Sequence, residues 1–306
     1  FFGEIVKKLP QNTFTLETND QLQATITAGS AAFTLNGLSA HDYPQLPEVE
    51  KDHVLTLPVP LFRQVILQTS IAVSTAESRP ILTGIHMVIA NNQLKAVATD
   101  SHRLSQRIIP LEMPESSNAL TFEITLPGKT LIELSRIIDG LETIDFAITE
   151  NQVLFQTETL SFYSRLLEGR YPDTDRLIND QFNTAITVVA SDLVAAVDRA
   201  SLMSHTDKNN IATLSINENR ILLTGNSPEI GKVEEEIMVE NYEGASLDVS
   251  FNPDYLKDAL RLFGSSEATI QFLEANRPFT LTLKDNHSDI PYSFIQLVTP
   301  VRTFNG

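Results

Sequence analysis

The sequence predicts an α+β fold built from a repeated unit in which a helix is followed by antiparallel strands. Three observations carry this. The stretch FTLNGLSAHDYPQL, Phe33 to Leu46, returns as FYSRLLEGRYPDTDRL, Phe162 to Leu177, with the two Tyr-Pro pairs 128 residues apart, a domain-sized period rather than a solenoid unit. A second pair of similar stretches is interleaved with the first: GIHMVIANNQLKAVATD, from Gly84, and IATLSINENRILLTGNS, from Ile211. Finally, amphipathic stretches at helical spacing alternate with period-2 stretches along the whole chain.

The elements follow in order. FFGEIVKKLP reads as a short amphipathic helix with Phe1 and Phe2 at core-type positions, and strands follow on either side of a polar turn at Asn19-Asp20. PLFRQVILQTSIAV is a helix, and the next two strands are joined by a hairpin turn at Asn91-Asn92. LPGKT, Leu126 to Thr130, starts a helix with Pro127 near its first turn, and TLIELSRIIDGLETIDFAITENQVLFQTE runs from that helix into strands separated by a turn at Glu150-Asn151. SDLVAAVDRASLMS is a helix capped by Ser191, followed by strands with a turn at Asn217 to Asn219. A third copy of the helix-and-strands unit, YLKDALRLFGSSEATIQFLEANRPFTLTL, has Asn252 as N-cap, Pro253 in the first turn and Gly264 as terminator. The full rhythm occupies residues 53–180 and again 181–306, whereas residues 1–52 hold only the second half of the unit, as expected of an N-terminally truncated chain.

Composition narrows the function classes. With 306 residues, 42% of them hydrophobic, the chain can bury two or three cores. The absence of Cys removes disulfides, thiolate metal sites and cysteine nucleophiles, and fits a reducing cytoplasm. Neither a membrane-spanning run nor a leader is read. A net charge of −17 argues against bulk attraction to nucleic acid, so any DNA contact must come from local segregation of the 22 basic residues.

Candidate chemistries are few. Asp100, Ser101 and His102 are adjacent, and neighbours on a strand face opposite ways, so these three cannot form one hydrolytic triad; a hydrolase using Asp100 and His102 is the weakest reading. The six histidines show no metal-ligand spacing, and LPGKT lacks the first glycine of a phosphate loop, so no metal or cofactor is expected. The acidic run Glu234 to Glu236 reads as a solvated strand edge or loop, with a partner-facing patch as the alternative. Each predicted helix nonetheless keeps at least one cation: Lys7 and Lys8, Arg63, Lys129 and Arg136, Arg199, and Lys257 and Arg261; beside Glu4, Glu133, Asp198 and Asp258 these read by themselves as ordinary solubilising charge on exposed helix faces.

The stretches RPILTGIHMVIANNQLKAVATDSHRLSQR, LPGKTLIELSRII, LEGRYPD, SFNPDYLKDAL and IQLVTPVRT resemble the bacterial sliding clamp family, the beta subunit of DNA polymerase III, of the Gram-positive type. The resemblance implies a ring-forming DNA clamp fold of repeated domains, each with two helices packed on antiparallel sheets, divided here as residues 1–52, 53–180 and 181–306. It implies a noncatalytic clamp encircling duplex DNA without sequence preference and tethering a polymerase, a clamp loader and other motif-bearing partners. A peptide-binding scaffold without DNA is the alternative. It places Arg63, Arg79, Lys129, Arg136, Arg199, Lys257 and Arg261 along the DNA channel. A homodimer interface would pair the strand of Phe33 and Leu35 with an edge near Leu202 and Met203, two residues that could equally be the core of their helix; the truncated chain is expected to dimerise poorly. A peptide pocket is implied at Arg79, Leu82, Thr99, Ser101, His102, Arg103, Leu104, Pro172, Arg176, Leu177, Tyr255, Pro278, Thr280, Leu297, Val298, Pro300, Val301 and Arg302, with Ser101 standing where the family often has Gly. In that pocket Leu82, Leu177, Val298 and Val301 are expected to offer apolar area, and deletion from Pro300 onward is expected to spare the fold.

Overall fold

The computed structural model describes residues 1–43, 54–111, 121–149, 151–178, 181–204, 210–218, 220–284 and 294–302. The chain divides into two compact units, Phe1–Glu48 and Val49–Gly306.

The first unit is a helix, α1 (Phe2–Lys7), and a three-stranded antiparallel meander of β1 (Thr15–Thr18), β2 (Gln23–Ala28) and β3 (Ala31–Asn36). The turn after β1 forms because the Asn19 carboxamide oxygen accepts the backbone N–H groups of Gln21 and Gln23, at 3.1 and 3.0 Å. Burial in α1 falls on Ile5; Phe1 and Phe2, expected in the core, are exposed, since residues at a helix end have neighbours on one side only.

The second unit holds the helix-and-strands sequence twice. The first pass runs β4 (Val54–Pro58), α2 (Val59–Ser70), β5 (Gly84–Ala90), β6 (Gln93–Thr99), β7 (Arg103–Pro110), β8 (Phe122–Pro127), α3 (Gly128–Ile137), β9 (Thr143–Ile148), β10 (Gln152–Gln156) and β11 (Ser161–Arg165). The second pass runs β12 (Thr184–Val189), α4 (Ala190–Ser204), β13 (Ala212–Asn217), β14 (Arg220–Ser227), β15 (Gly231–Glu236), β16 (Asn241–Gly244), β17 (Leu247–Phe251), α5 (Pro253–Arg261), β18 (Glu267–Phe272), β19 (Phe279–Leu283) and β20 (Phe294–Val298).

Local chemistry explains most boundaries. Asn91 and Asn92, at φ 52° and 56°, supply the two left-handed residues of the β5–β6 hairpin turn. Asn252 caps α5 by accepting the Asp254 N–H at 2.9 Å, and Gly264, at φ 61°, follows the end of that helix. Ser191 does not cap α4, which begins one residue earlier, at Ala190; the Ser191 hydroxyl turns to the Asp192 carboxylate at 3.3 Å. The turns expected at Glu150 and Asn219 reach outside the described residues.

Each pass closes its own core. In the first, α2 and α3 pack together and bury Phe62, Val65, Leu131 and Leu134 against Ile85, Met87, Phe146 and Phe155. In the second, α4 and α5 pack together and bury Leu193, Val197, Leu256 and Leu260 with Leu214, Leu223, Ile270 and Phe272. Four-stranded sheets β11-β10-β9-β4 and β15-β14-β13-β17 flank a nine-stranded sheet of order β16-β12-β18-β19-β20-β7-β6-β5-β8. That long sheet exists because β20 pairs antiparallel with β7, Phe294 opposite Arg107 through Val298 opposite Arg103. A buried polar tie seals the joint: the Gln296 amide donates to the Ser105 hydroxyl at 2.6 Å, and that hydroxyl donates to the Gln68 carbonyl of α2.

Candidate functional site

Residues paired across neighbouring strands share a face of the sheet. One row therefore crosses the β7–β20 joint: Thr99, Leu104, Leu297, Thr280 and Gln271, contributed by β6, β7, β20, β19 and β18. Leu104 and Leu297 are buried with Leu82, Val97 and Tyr171 in a small cluster separate from the two main cores. The chain leaving β11 carries Tyr171 into this cluster. There its hydroxyl accepts the Thr99 N–H at 3.0 Å and its ring stacks on His86, with centroids 4.6 Å apart and planes 4° off parallel. Burial pushes the Tyr171 phenol up to about 12.

At one end of the row opens a cleft of about 290 Å³. Four expected residues, Arg176, Leu177, Pro278 and Thr280, line it together with Gln181, Gln271, Leu273 and Arg277. Sequence reasoning missed these last four. Gln271 was reachable only through the strand register, and Arg277 stands in a turn whose position over the cleft no local pattern encodes.

At the other end is the turn from Thr99 to Arg103. The Asp100 carboxylate accepts the N–H groups of His102 and Arg103 at 2.8 and 3.0 Å, and the Thr99 hydroxyl donates to the Arg103 carbonyl at 2.7 Å. Ser101 is forced to φ 81°, a conformation costing a non-glycine residue roughly 1–2 kcal/mol. Its hydroxyl accepts the Arg79 guanidinium at 2.9 Å. Arg103 points into the joint, pairing with Asp100 at 3.1 Å and with Asp258 of α5 at 2.7 Å, its guanidinium 4.7 Å from the centre of the Tyr255 ring. The His102 ring stacks over the same tyrosine, 6.1 Å between centroids. Burial, followed by the negative Asp100, raises the Tyr255 phenol above its ordinary value. Asp100 thus spends its carboxylate on the turn backbone and Arg103 while His102 stacks on Tyr255, which leaves no Asp-His relay for a hydrolase.

The segment after β20 joins the same site. The His102 carbonyl accepts the Thr299 N–H at 2.8 Å, and the Val301 N–H donates to the Ser250 carbonyl at 2.7 Å. Two expectations change here. Of the four residues counted on for apolar area, Leu82 and Val298 are buried, leaving Leu177 and Val301. Deleting Pro300 onward would remove a buried proline and the Val301 backbone bond, so it cannot leave the fold untouched. Pro172 and Arg302 are exposed at the margins.

The helix cations are largely answered by acids beside them. Arg63 of α2 bonds the Ser135 carbonyl of α3 at 2.7 Å and pairs with Asp139, and Arg136 pairs with Glu133 at 2.7 Å. Arg199 grips Glu235 with two nitrogens, Lys257 reaches Asp198 at 2.9 Å and Asp254 at 3.3 Å, and Arg261 lies 3.8 Å from Asp198. The Asp198 hydrogen bond raises the Lys257 ammonium above its usual range. Lys129 is exposed, with no ion pair among the described residues. Glu234 to Glu236 lie on β15, an edge strand, as expected. Leu202 and Met203 sit at the end of α4, the helix that packs against the edge strand β15; Leu202 is exposed and Met203 half-buried, so neither is a core residue. Phe33 and Leu35 lie on β3, an edge of the small sheet.

The family descriptions DNA polymerase III beta subunit, N-terminal, central and C-terminal domain match residues 1–47, 56–173 and 175–296. The Beta sliding clamp of Bacillus subtilis (strain 168) is 43% identical over 306 residues, covering 99% of this chain and 79% of that protein. The chain belongs to the beta sliding clamp family. A Beta sliding clamp of Streptococcus pneumoniae is also 43% identical over 99% of this chain and 79% of its own length. The crystal structure of the DNA polymerase sliding clamp from Bacillus subtilis superposes with a TM-score of 0.92 at 42% identity, over 99% of this chain and 78% of that one. The clamp fold is thereby established, and with it the function of a noncatalytic processivity clamp of DNA polymerase III. No described helix is long and apolar enough to cross a membrane.

Proposed function

We propose that this clamp works in the cytoplasm as part of a closed homodimeric ring around duplex DNA, and that polymerase, clamp loader and other partners dock short peptides in the cleft beside Arg176, Leu177, Pro278 and Thr280. The observation that carries the peptide reading is the row from Thr99 to Thr280. It brings residues from four strands to one face, runs from the Ser101-His102 turn to a cleft with an exposed Leu177, and gives an apolar anchor a place beside polar orienting groups. The repeat supports the ring. β3 follows the same order in its half-unit as β20 does in its own, and β15 stands where β7 stands, so a β3–β15 pairing between subunits would reproduce the β20–β7 joint.

On the DNA side, α2 to α5 carry Arg63, Lys129, Arg136, Arg199, Lys257 and Arg261 against Glu133, Asp192, Asp198, Asp254 and Asp258, a face close to electrical balance. Such a face contacts phosphates weakly, with Arg79 at the rim, and weak contact lets a ring slide while topology keeps it on. The domains would be residues 1–52, 53–180 and 181–306.

Fluorescence polarisation with the pentapeptide Gln-Leu-Ser-Leu-Phe tests the cleft. Binding lost in Leu177→Asp, with an unchanged melting temperature, is the expected result; undiminished binding places the site elsewhere. Retention of the loaded clamp on nicked circular DNA, and its release when the circle is cut, tests encirclement.

A further inference from the structure

We infer that the cleft selects partner peptides carrying an acidic residue beside their apolar anchor, read by Arg277. The inference rests on the peptide-docking reading of this cleft and adds to it a charge preference.

The lining divides by chemistry. Leu177, Leu273 and Pro278 offer apolar wall, while Arg176 and Arg277 bring two guanidinium groups to one opening of about 290 Å³. This is an unusual local sign in a chain of net charge −17. The two cations are not equivalent. Arg176 is already held by Asp173, Nε to carboxylate at 2.7 Å within its own 3-10 turn. Arg277 is exposed and has no ion-pair partner among the described residues; its backbone N–H is fixed to the Glu274 carbonyl at 3.1 Å, so the turn presenting it is ordered by a main-chain bond. Arg277 also directly precedes Pro278, whose ring fixes its own φ and leads straight into β19, anchoring the base of the side chain at the cleft rim.

A guanidinium that lines the cleft beside Leu177, Leu273 and Pro278, with no ion-pair partner among the described residues, prefers a planar carboxylate, which it can meet with two parallel hydrogen bonds. The chain as a whole carries a net charge of −17, so an acidic peptide meets net repulsion from the molecule and local attraction at this opening. That contrast sharpens selection beyond what the contact alone supplies. A neutral peptide gains only the apolar contact. A basic flank meets two cations.

The experiment uses the whole chain and four fluorescein-labelled peptides: Gln-Leu-Ser-Leu-Phe alone, with Glu-Glu added before it, with Glu-Glu added after it, and with Lys-Lys added at whichever end Glu-Glu favours. Fluorescence polarisation is read at low and at moderate salt. One acidic version should bind about three- to tenfold tighter than the unflanked peptide at low salt, with the advantage shrinking as salt rises. Arg277→Gln should erase that advantage, so that the acidic and the unflanked peptides bind this variant with equal affinity at low salt. An acidic advantage that survives in Arg277→Gln, or none at either end while the unflanked peptide still binds, overturns the charge preference and leaves the cleft reading standing. Failure of every peptide to bind the unaltered chain overturns both.

Discussion

The Tyr171 hydroxyl accepts the backbone N–H of Thr99 at 3.0 Å, tying the segment that follows β11 to the strand end from which the 100–103 turn springs. Both residues are buried, so no water replaces the bond. Tyr171→Phe keeps the stacked ring but orphans the Thr99 N–H. The expected cost is about 1–3 kcal/mol in urea unfolding, with weaker peptide binding because the turn loses a fixed origin. An unchanged unfolding midpoint would refute this.

Arg103 is a tie between the two passes of the fold rather than a surface contact. Its bonds to Asp100 and Asp258 and its place over Tyr255 connect the β6–β7 turn to α5. Arg103→Ala is expected to destabilise by about 2–4 kcal/mol, since it leaves Asp100 without its cation inside a half-buried site. Arg103→Lys should recover only part of this, because one ammonium cannot serve both carboxylates and the ring. Calorimetric melting of the two variants checks the order.

Charge balance on the DNA side yields an opposed pair of outcomes. Lys129→Ala removes a cation that has no ion pair among the described residues and should make the log–log salt dependence of DNA binding shallower by about 0.9 if it meets one phosphate. Glu235→Gln releases Arg199 from its two-point grip and should make that dependence steeper and binding tighter. Equal slopes in both variants would show that these helices do not face DNA.

The His86 imidazole is held below its ordinary value first by burial, with Glu123 opposing and Lys95 reinforcing. A histidine with a depressed folded value contributes stability that is complete above its unfolded value near 6.5 and is lost as pH falls below it. The urea midpoint should therefore drop between about pH 7 and about pH 5, and the drop should be smaller in His86→Phe, which cannot charge. Identical pH slopes for the two proteins would remove His86 as the cause.

Much of the architecture was legible because it is written locally. Asn91-Asn92 names a hairpin turn through its tolerance of positive φ, and Asn252-Pro253 names a helix start through a side-chain acceptor and a preset φ. The misreadings at Phe1, Phe2 and Ser191 share another cause, since burial and capping at an element's end depend on where that end falls.

Residue order alone carried the succession of helices and strands, the alternation of buried and exposed positions and, through the family resemblance, half of the residues that line the candidate cleft, Arg176, Leu177, Pro278 and Thr280. The pairing of β7 with β20, where 191 residues separate Ser105 from Gln296, comes from tertiary folding, because period-2 alternation tells a strand which face is apolar and says nothing about which backbone will answer its hydrogen bonds. That pairing buries Leu104 and Leu297 together and brings Gln271 into their row. Tertiary packing likewise set which cations are free, since a sequence counts charges and only the folded distances show that Arg199 is already taken by Glu235.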